Sequence, residues 1–296
     1  MNRQMEHNLR EGLVTLAGSD FASAEFRPSG TGCINETWEA RGSGQSLFLK
    51  LGPVSAQSMY RQEWLGLEEL RRCEAIRVPA VVGVLQLEMA AVLVLEFIPL
   101  HSPRPDNDVN VGNALAALHG IEGKPFGLSY DNYIGRTPQI NTPHADWWQF
   151  WCDCRMVPQW RLAALKGMRR QLLDKLETLI ERIPAAFGDH QPEPVLLHGD
   201  LWSGNLAVDS TGKPVLFDPA VYYGDRETDI AMSKMFGAMR PAVYSTYHAR
   251  HPVLPGAERR RQLYDLYHWL NHFNLFGVTY LGQVENTVDD LLSGAN

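Results

Sequence analysis

The chain is short of cysteine, of long apolar runs and of charge of either sign, and each shortage excludes something. Its 296 residues include four cysteines, Cys33, Cys73, Cys152 and Cys154, with no C-x-x-C pair and no spacing of a disulfide framework. A reducing cytoplasm is the expected location. The longest apolar stretch, residues 89–95, is far too short to span a bilayer, and the charged first residues offer no signal-peptide core. With 27 basic and 34 acidic residues the net charge is -7, which argues against a nucleic acid or an anionic membrane as partner. Repeats and low-complexity segments are absent too. What remains is an ordinary globular balance, 45% hydrophobic and 21% charged, in a chain long enough for two lobes with sizeable cores.

The most informative segment is Leu196-Leu197-His198-Gly199-Asp200-Leu201-Trp202-Ser203-Gly204-Asn205, followed thirteen residues later by Asp218. An Asp that can accept a hydroxyl proton (Asp200), an Asn five positions on (Asn205) and a later Asp (Asp218) have the order of a phosphoryl-transfer site, as in the catalytic loop of protein kinases. Asn205 and Asp218 offer the hard oxygen donors magnesium needs. Apolar runs at 194–197 and 214–217 read as strands that flank the loop and bring those donors together. An Asp-rich hairpin without function is the alternative, because His-Gly-Asp alone recurs by chance.

Periodicity divides the chain. A helix is expected over 8–17, strands over 24–27 and 34–40 around a turn at 29–33, and a third strand over 46–51 ending on Lys50. A helix over 55–73 places Met59, Trp64, Leu67 and Leu70 on its inner side, and 81–87 and 91–97 read as a hairpin. Prolines 99, 103 and 105 mark 98–108 as a linker. Helices are then expected over 108–119, 146–165, 168–187, 225–239 and 258–280. A strand-rich first third and a helical remainder predict an α+β, two-lobed layout, with residues 1–97 a small β-rich N-lobe and 98–296 a larger helical C-lobe.

The N-lobe offers the other half of a nucleotide site. Gly30 and Gly32 lack the Cβ that would keep backbone N–H groups from phosphates, although a Gly-x-Gly turn is as readily just a turn. Lys50 within a strand needs anions nearby, or else snorkels from an edge. Glu63, on the next helix, is its natural partner, with Glu68 and Glu69 more than a turn further along. Residues Glu96, Phe97 and Ile98 sit at the lobe junction, where backbone groups can pair with adenine.

Residues 197–205 (LHGDLWSGN), with Phe217-Asp218-Pro219-Ala220 and Tyr223-Gly224-Asp225-Arg226-Glu227, resemble the fructosamine kinase, or ketosamine-3-kinase, family. That family has the protein-kinase-like fold, alongside aminoglycoside and choline kinases, and the Trp202-Ser203 pair separates it from those relatives. Residues 30–36 (GTGCINE) and 270–277 (LNHFNLFG) also match, although the Gly-rich loop is slightly abbreviated and the Lys50–Glu63 spacing about a residue tight. The resemblance implies ATP- and Mg2+-dependent phosphorylation of the C3 hydroxyl of a ketoamine, whose 3-phosphate then eliminates and frees the amine. It also implies Asp200 as base, Asn205 and Asp218 as metal ligands, Lys50 orienting phosphates, Glu63 orienting Lys50, and residues 96–98 receiving adenine. Partners would be small ketoamines (fructosamines, ribulosamines, erythrulosamines) or glycated proteins, and the chain a monomer or homodimer.

Other residues admit two readings. Trp202 can offer a flat face to the sugar. His198 is a structural hydrogen-bonder, and Asp229 either braces the catalytic loop or stabilises its own helix N-terminus. His268 and His272 share a helix face but lack a third metal ligand, which leaves them packed or substrate-facing, with His272 a candidate substrate residue. Cys33, in the Gly-rich loop, is a redox candidate or a small residue tolerated at a strand edge. The tryptophans 147, 148, 151 and 160, with Phe150, are expected mainly in the core. A kinase of the same fold acting on an aminoglycoside or amino alcohol, and a nucleotide-binding pseudokinase, are the competing functions; Trp202 speaks against the first and the retained Lys50, Asp200, Asn205 and Asp218 against the second.

Overall fold

In this computed structural model, residues 2–31 and 36–294 are described; Gly32 and Cys33, with the phosphate-loop and redox expectations attached to them, lie outside the described residues. Strands β1 (Glu25–Thr31), β2 (Glu36–Arg41), β3 (Ser46–Gly52), β4 (Val81–Gln86) and β5 (Ala91–Glu96) form an antiparallel sheet in the order β1-β2-β3-β5-β4. Alternation sorts their side chains. Leu47, Leu49, Leu51, Val92 and Val94 pack with Leu9 and Leu13 of helix α1 (Arg3–Ala17), whereas Phe48, Leu93 and Leu95 face helix α2 (Gln57–Leu70). Lys50 lies on that second face, one step from Leu49 and Leu51.

Two expectations for this lobe are corrected. The turn at 29–33 begins later, because β1 continues to Thr31 with a register shift between Pro28 and Thr31 that accommodates Gly30 at φ +83°. On α2, Tyr60, Leu67 and Leu70 are buried, but Trp64 is 37% exposed. The inner stripe centres on Glu63, and Trp64, one residue on, is turned about 100° away.

The rest is helical: α3 (Asp108–Leu118), α4 (Trp147–Trp151), α5 (Val157–Leu165), α6 (Arg170–Phe187), α7 (Glu227–Met235), α8 (Pro241–Arg250), α9 (Ala257–Phe276) and α10 (Leu281–Ser293). The expected helix over 146–165 is α4 and α5 joined by a π-turn at Cys152–Met156. The helix expected to Tyr280 ends at Phe276, where Gly277 adopts φ +82°. Helices α8 and α10, and a hairpin of β6 (Asn132–Ile134) and β7 (Thr137–Gln139), were not expected. Trp147, Trp148, Phe150 and Trp151 are buried as anticipated, with Trp160 packed against them.

The strands around Asp200 pair differently from expectation. Strand β8 (Val195–Leu197) pairs with β11 (Tyr222–Gly224), and β10 (Pro214–Leu216) pairs with β9 (Leu206–Val208), a strand directly after the loop. The three-residue run Leu206-Ala207-Val208 is too short to give a periodic signal.

The two lobes share one buried cluster, including Leu67, Leu93 and Leu95 on one side and Leu115, Leu196 and Leu216 on the other. They are also joined by backbone: Arg77 donates to the Pro214 carbonyl at 2.8 Å and Leu216 donates to the Arg77 carbonyl at 3.1 Å, while just past the junction His101 and Val208 exchange two 2.9 Å bonds within the C-lobe. Among the described residues no helix is long and apolar enough to cross a membrane.

Candidate active site

Between the lobes lies a cleft of about 540 Å³. Its lining includes Gly30, Lys50, Glu63, Glu96, Ile98, Asp200, Trp202, Asn205 and Asp218, so one space brings together most of the residues singled out above. Phe97 and His272 are not among its lining residues.

Lys50 reaches into the cleft from β3 and is buried. Its ammonium donates to both the Glu63 and the Asp218 carboxylates. Burial alone would lower its pKa, but the charges of Asp218 and Glu63 prevail and hold it above its usual value, so Lys50 stays cationic. Asp218 has φ +57°, the only positive φ of a non-glycine residue among those described. A left-handed backbone is unfavourable for a side chain with a Cβ and persists where the surroundings enforce it. Here it accompanies the Asp218–Lys50 contact.

The loop around Asp200 is held by hydrogen bonds from its backbone and from His198. His198 and Gly199 donate their N–H groups to the two oxygens of Asp229, at 2.7 and 2.9 Å. Of the two roles open to Asp229, bracing the loop is the one observed. Asp229 also meets His119 Nε2 at 3.1 Å, and His119 Nδ1 meets the Tyr247 hydroxyl at 2.7 Å. The Asp200 N–H donates to His198 Nδ1, which assigns the imidazole proton to Nε2 and its bond to the Phe217 carbonyl at 3.0 Å. Burial lowers the pKa of His198, keeping it neutral; it is a strut between the two halves of the site. Gly199 has φ +80°, and a Cβ there would lie 2.0 Å from the Ala220 carbonyl oxygen.

Asp200 faces Asn205, whose Nδ2 donates to the Asp200 carbonyl at 2.9 Å and to its carboxylate at 3.2 Å. Burial, followed by the charge of Asp218, pushes the Asp200 carboxyl up to about 7. Two carboxylates, Glu63 and Asp218, thus meet one lysine ammonium, and the charge of Asp218 is also felt at Asp200.

Trp202 lines the cleft beside Asp200, and Gly204 is what permits its position. A Cβ on Gly204 would lie 2.2 Å from the far edge of the indole. Gly204→Ala should therefore displace the ring and raise the KM of the acceptor substrate several-fold, in the same direction as Trp202→Ala. Steady-state kinetics of both variants checks this; an unchanged KM in Gly204→Ala would separate the indole from substrate binding. His272 packs behind Trp202, 4.7 Å from the Phe236 ring, and its Nδ1 bonds the His268 carbonyl at 2.8 Å. The pair is therefore packed, with no third ligand beside it among the described residues.

At the lobe junction the Glu96 side chain is committed to structure, paired with Arg77 Nη2 at 2.5 Å and accepting from the Ala80 N–H at 3.2 Å. Its own N–H donates to the Ala80 carbonyl at 2.8 Å.

Sequence reasoning missed Thr37, Gln62, Asn132, Tyr133 and Gly135, which also line the cleft. The hairpin carrying the last three is fixed from below: Asn132 Nδ2 donates to the Val221 carbonyl at 2.8 Å, and Gln139 Nε2 to the Ala220 carbonyl at 3.0 Å. The Gly135-Arg136 turn between two short β-prone runs was a hairpin signal that could have found it.

Comparison with known proteins agrees in one direction. A family model described as fructosamine kinase matches residues 5–294. The chain is 39% identical to a "probable ketoamine kinase" of Synechocystis over 95% of this chain and 94% of that one. It is 37% identical to a chloroplastic protein-ribulosamine 3-kinase of Arabidopsis thaliana, over 99% and 90%. A crystal structure described as that of a fructosamine-3-kinase from Haemophilus somnus superimposes with a TM-score of 0.87 at 27% identity, covering 96% and 97% of the two chains. An aminoglycoside phosphotransferase shares the fold, with a TM-score of 0.64 at 14% identity over 95% and 98%.

Proposed function

We propose, from the premise that this chain belongs to the fructosamine kinase family, that it transfers the γ-phosphoryl group of ATP to the C3 hydroxyl of ketoamines, ribulosamines and erythrulosamines at least as well as fructosamines. The observation that carries this reading is the convergence of Asp200, Asn205, Asp218, Lys50 and Trp202 on one cleft. Asp200 takes the hydroxyl proton as the sugar oxygen forms its bond to phosphorus and the bond to the ADP oxygen breaks. A carboxyl near 7 suits that task at neutral pH, being about half ionised and basic enough to hold a proton. Lys50, oriented by Glu63, steadies the phosphates. Gly30 lets backbone N–H groups approach them, and the Glu96 carbonyl and Ile98 N–H receive the adenine edge. The N-lobe, 1–97, is thus the nucleotide side and 98–296 the acceptor side.

Magnesium suits the donor set. Asn205 directs its Nδ2 to Asp200, leaving its side-chain oxygen for a cation, and two carboxylates facing one ammonium leave negative charge in excess. Asn205 and Asp218 would hold the ion, whose contribution when bound is to neutralise phosphate charge. Trp202 lies under the C–H face of the sugar, and His272, with Nδ1 turned to a carbonyl, keeps Nε2 as an acceptor behind it. The small-molecule adducts and glycated side chains share the same ketose end, so both fit this reading.

The test is ATP consumption against fructosamine, ribulosamine, erythrulosamine and aminoglycoside substrates, with NMR of the product. Phosphate on C3 of the ketose is expected. Phosphate on an aminoglycoside or amino alcohol, with ketoamines inert, would reduce the assignment to a shared fold. Trp202→Ala should raise the ketoamine KM several-fold and leave that for ATP nearly unchanged, the signature of lost ground-state binding.

A further inference from the structure

Behind Trp202 lies a series of aromatic rings that extends beyond the cleft. The indole meets Phe236 edge-on with ring centres 6.2 Å apart, Phe236 lies 4.7 Å from His272, and His272 lies 5.7 Å from Phe276 and 5.0 Å from Tyr280. This is not core. Phe236, His272 and Tyr280 are half-buried, Phe276 is 48% exposed, and Val278 is 77% exposed. The rings form one apolar surface that begins at Trp202, in the cleft, and ends in solvent past the end of α9.

We propose that this surface is a subsite for the amine-side substituent of the ketoamine, favouring aromatic and apolar amines over small polar ones. It rests on the ketoamine reading above, and the direction follows from connectivity. The nitrogen is three bonds from C3, about 1.5 Å each, so a C3 hydroxyl at Asp200 keeps the nitrogen beside Trp202. The γ-phosphate approaches from Lys50 and Asp218, which closes that side to the substituent. Two exits remain, one past Tyr133 and Gly135 on the β6–β7 hairpin, the other along the rings. The ring exit is the one that continues from Trp202 itself, through its edge-on contact with Phe236. The ring exit offers faces that attract both an apolar group and a protonated amine.

Two adducts of one sugar, made with ethanolamine and with phenethylamine, test the idea. In the wild type the phenethylamine adduct should have a KM about threefold to tenfold lower, the scale of one aromatic contact. In Phe276→Ser/Val278→Ser the two KM values should converge. Both positions face solvent, and the ratio within one preparation is insensitive to a loss of folded protein. Equal KM values in the wild type, a preference that survives the double substitution, or one abolished instead by Tyr133→Ser would each overturn the subsite and leave the ketoamine reading intact. If neither adduct is phosphorylated, both readings fall.

Discussion

Asp200→Ala should lower kcat by roughly 10²-fold or more, the scale of a lost general base, while ATP binds nearly as before. On the reading proposed above, the nucleotide is held by Lys50, residues 96–98, Asn205 and Asp218, none of which the substitution removes. Asp200→Asn should be equally inactive but more stable than the wild type without nucleotide. Burial of the Asp200 carboxylate, followed by the charge of Asp218, raises its pKa to about 7. A carboxyl whose folded pKa lies above its unfolded value destabilises the fold increasingly as pH rises between the two, and fully above the folded value. The Asn variant should therefore melt higher at about pH 8, by about 2–4 °C for each kcal/mol recovered, and the gain should vanish toward about pH 4. A fully active Asp200→Ala enzyme, or an Asn variant that melts below wild type at high pH, would sink this account.

The second large effect is on stability. Asp229 is almost fully buried, and its two oxygens accept from the backbone of His198 and Gly199 while meeting His119. Asp229→Ala leaves two interior N–H groups without acceptors, at a loss of about 1–3 kcal/mol each. We expect a lower urea midpoint together with a fall in kcat, because the same N–H groups fix the peptide before Asp200. Burial pushes the Asp229 carboxyl up, and the bonds from His119 and the loop reverse that, holding it below the ordinary range. A depressed carboxyl contributes stability that is complete above the ordinary range and is lost as pH falls through the lowered value. The difference between wild type and variant should thus be constant near neutrality and shrink in acid. A variant within about 0.5 kcal/mol of wild type, the range of an ordinary surface change, would show that the loop is held by something else.

What the sequence revealed and what it hid have physical reasons. The site was legible because phosphoryl transfer needs particular groups at fixed intervals: Asp200, Asn205 and Asp218 lie on one short loop and the turn that follows β10. Lys50 and Glu63 were legible for a related reason, a charge on an otherwise apolar strand and a carboxylate on the next helix. Where the chain turns was less clear. Strand β9 and the β6–β7 hairpin are three-residue strands defined by their partners, not by alternation. Trp64 was misplaced because hydrophobicity marks a helix face only when packing fills it, and here Glu63 sets the inward direction. Asp229 was ambiguous because a carboxylate in a helix's first turn has a local use as well as a distant one. The ring series behind Trp202 combines residues from three separate segments, and no window of sequence contains it.

The seam at Arg77 has a mechanical consequence. Arg77 exchanges backbone bonds with the β10 strand, its guanidinium joins Glu96 to Asp209, the Lys213 ammonium reaches the Glu74 carbonyl at 2.9 Å, and His101 pairs with Val208. All of these lie along one edge of the cleft. The Arg77 backbone bonds, the Arg77–Asp209 pair and the Lys213–Glu74 bond cross from one lobe to the other, and pulling the lobes straight apart would break them together. The lobes are tied away from that seam as well, by the Lys50–Asp218 contact and by the cluster that Leu67, Leu93 and Leu95 share with Leu115 and Leu216, so widening the cleft must also break contacts on its other side.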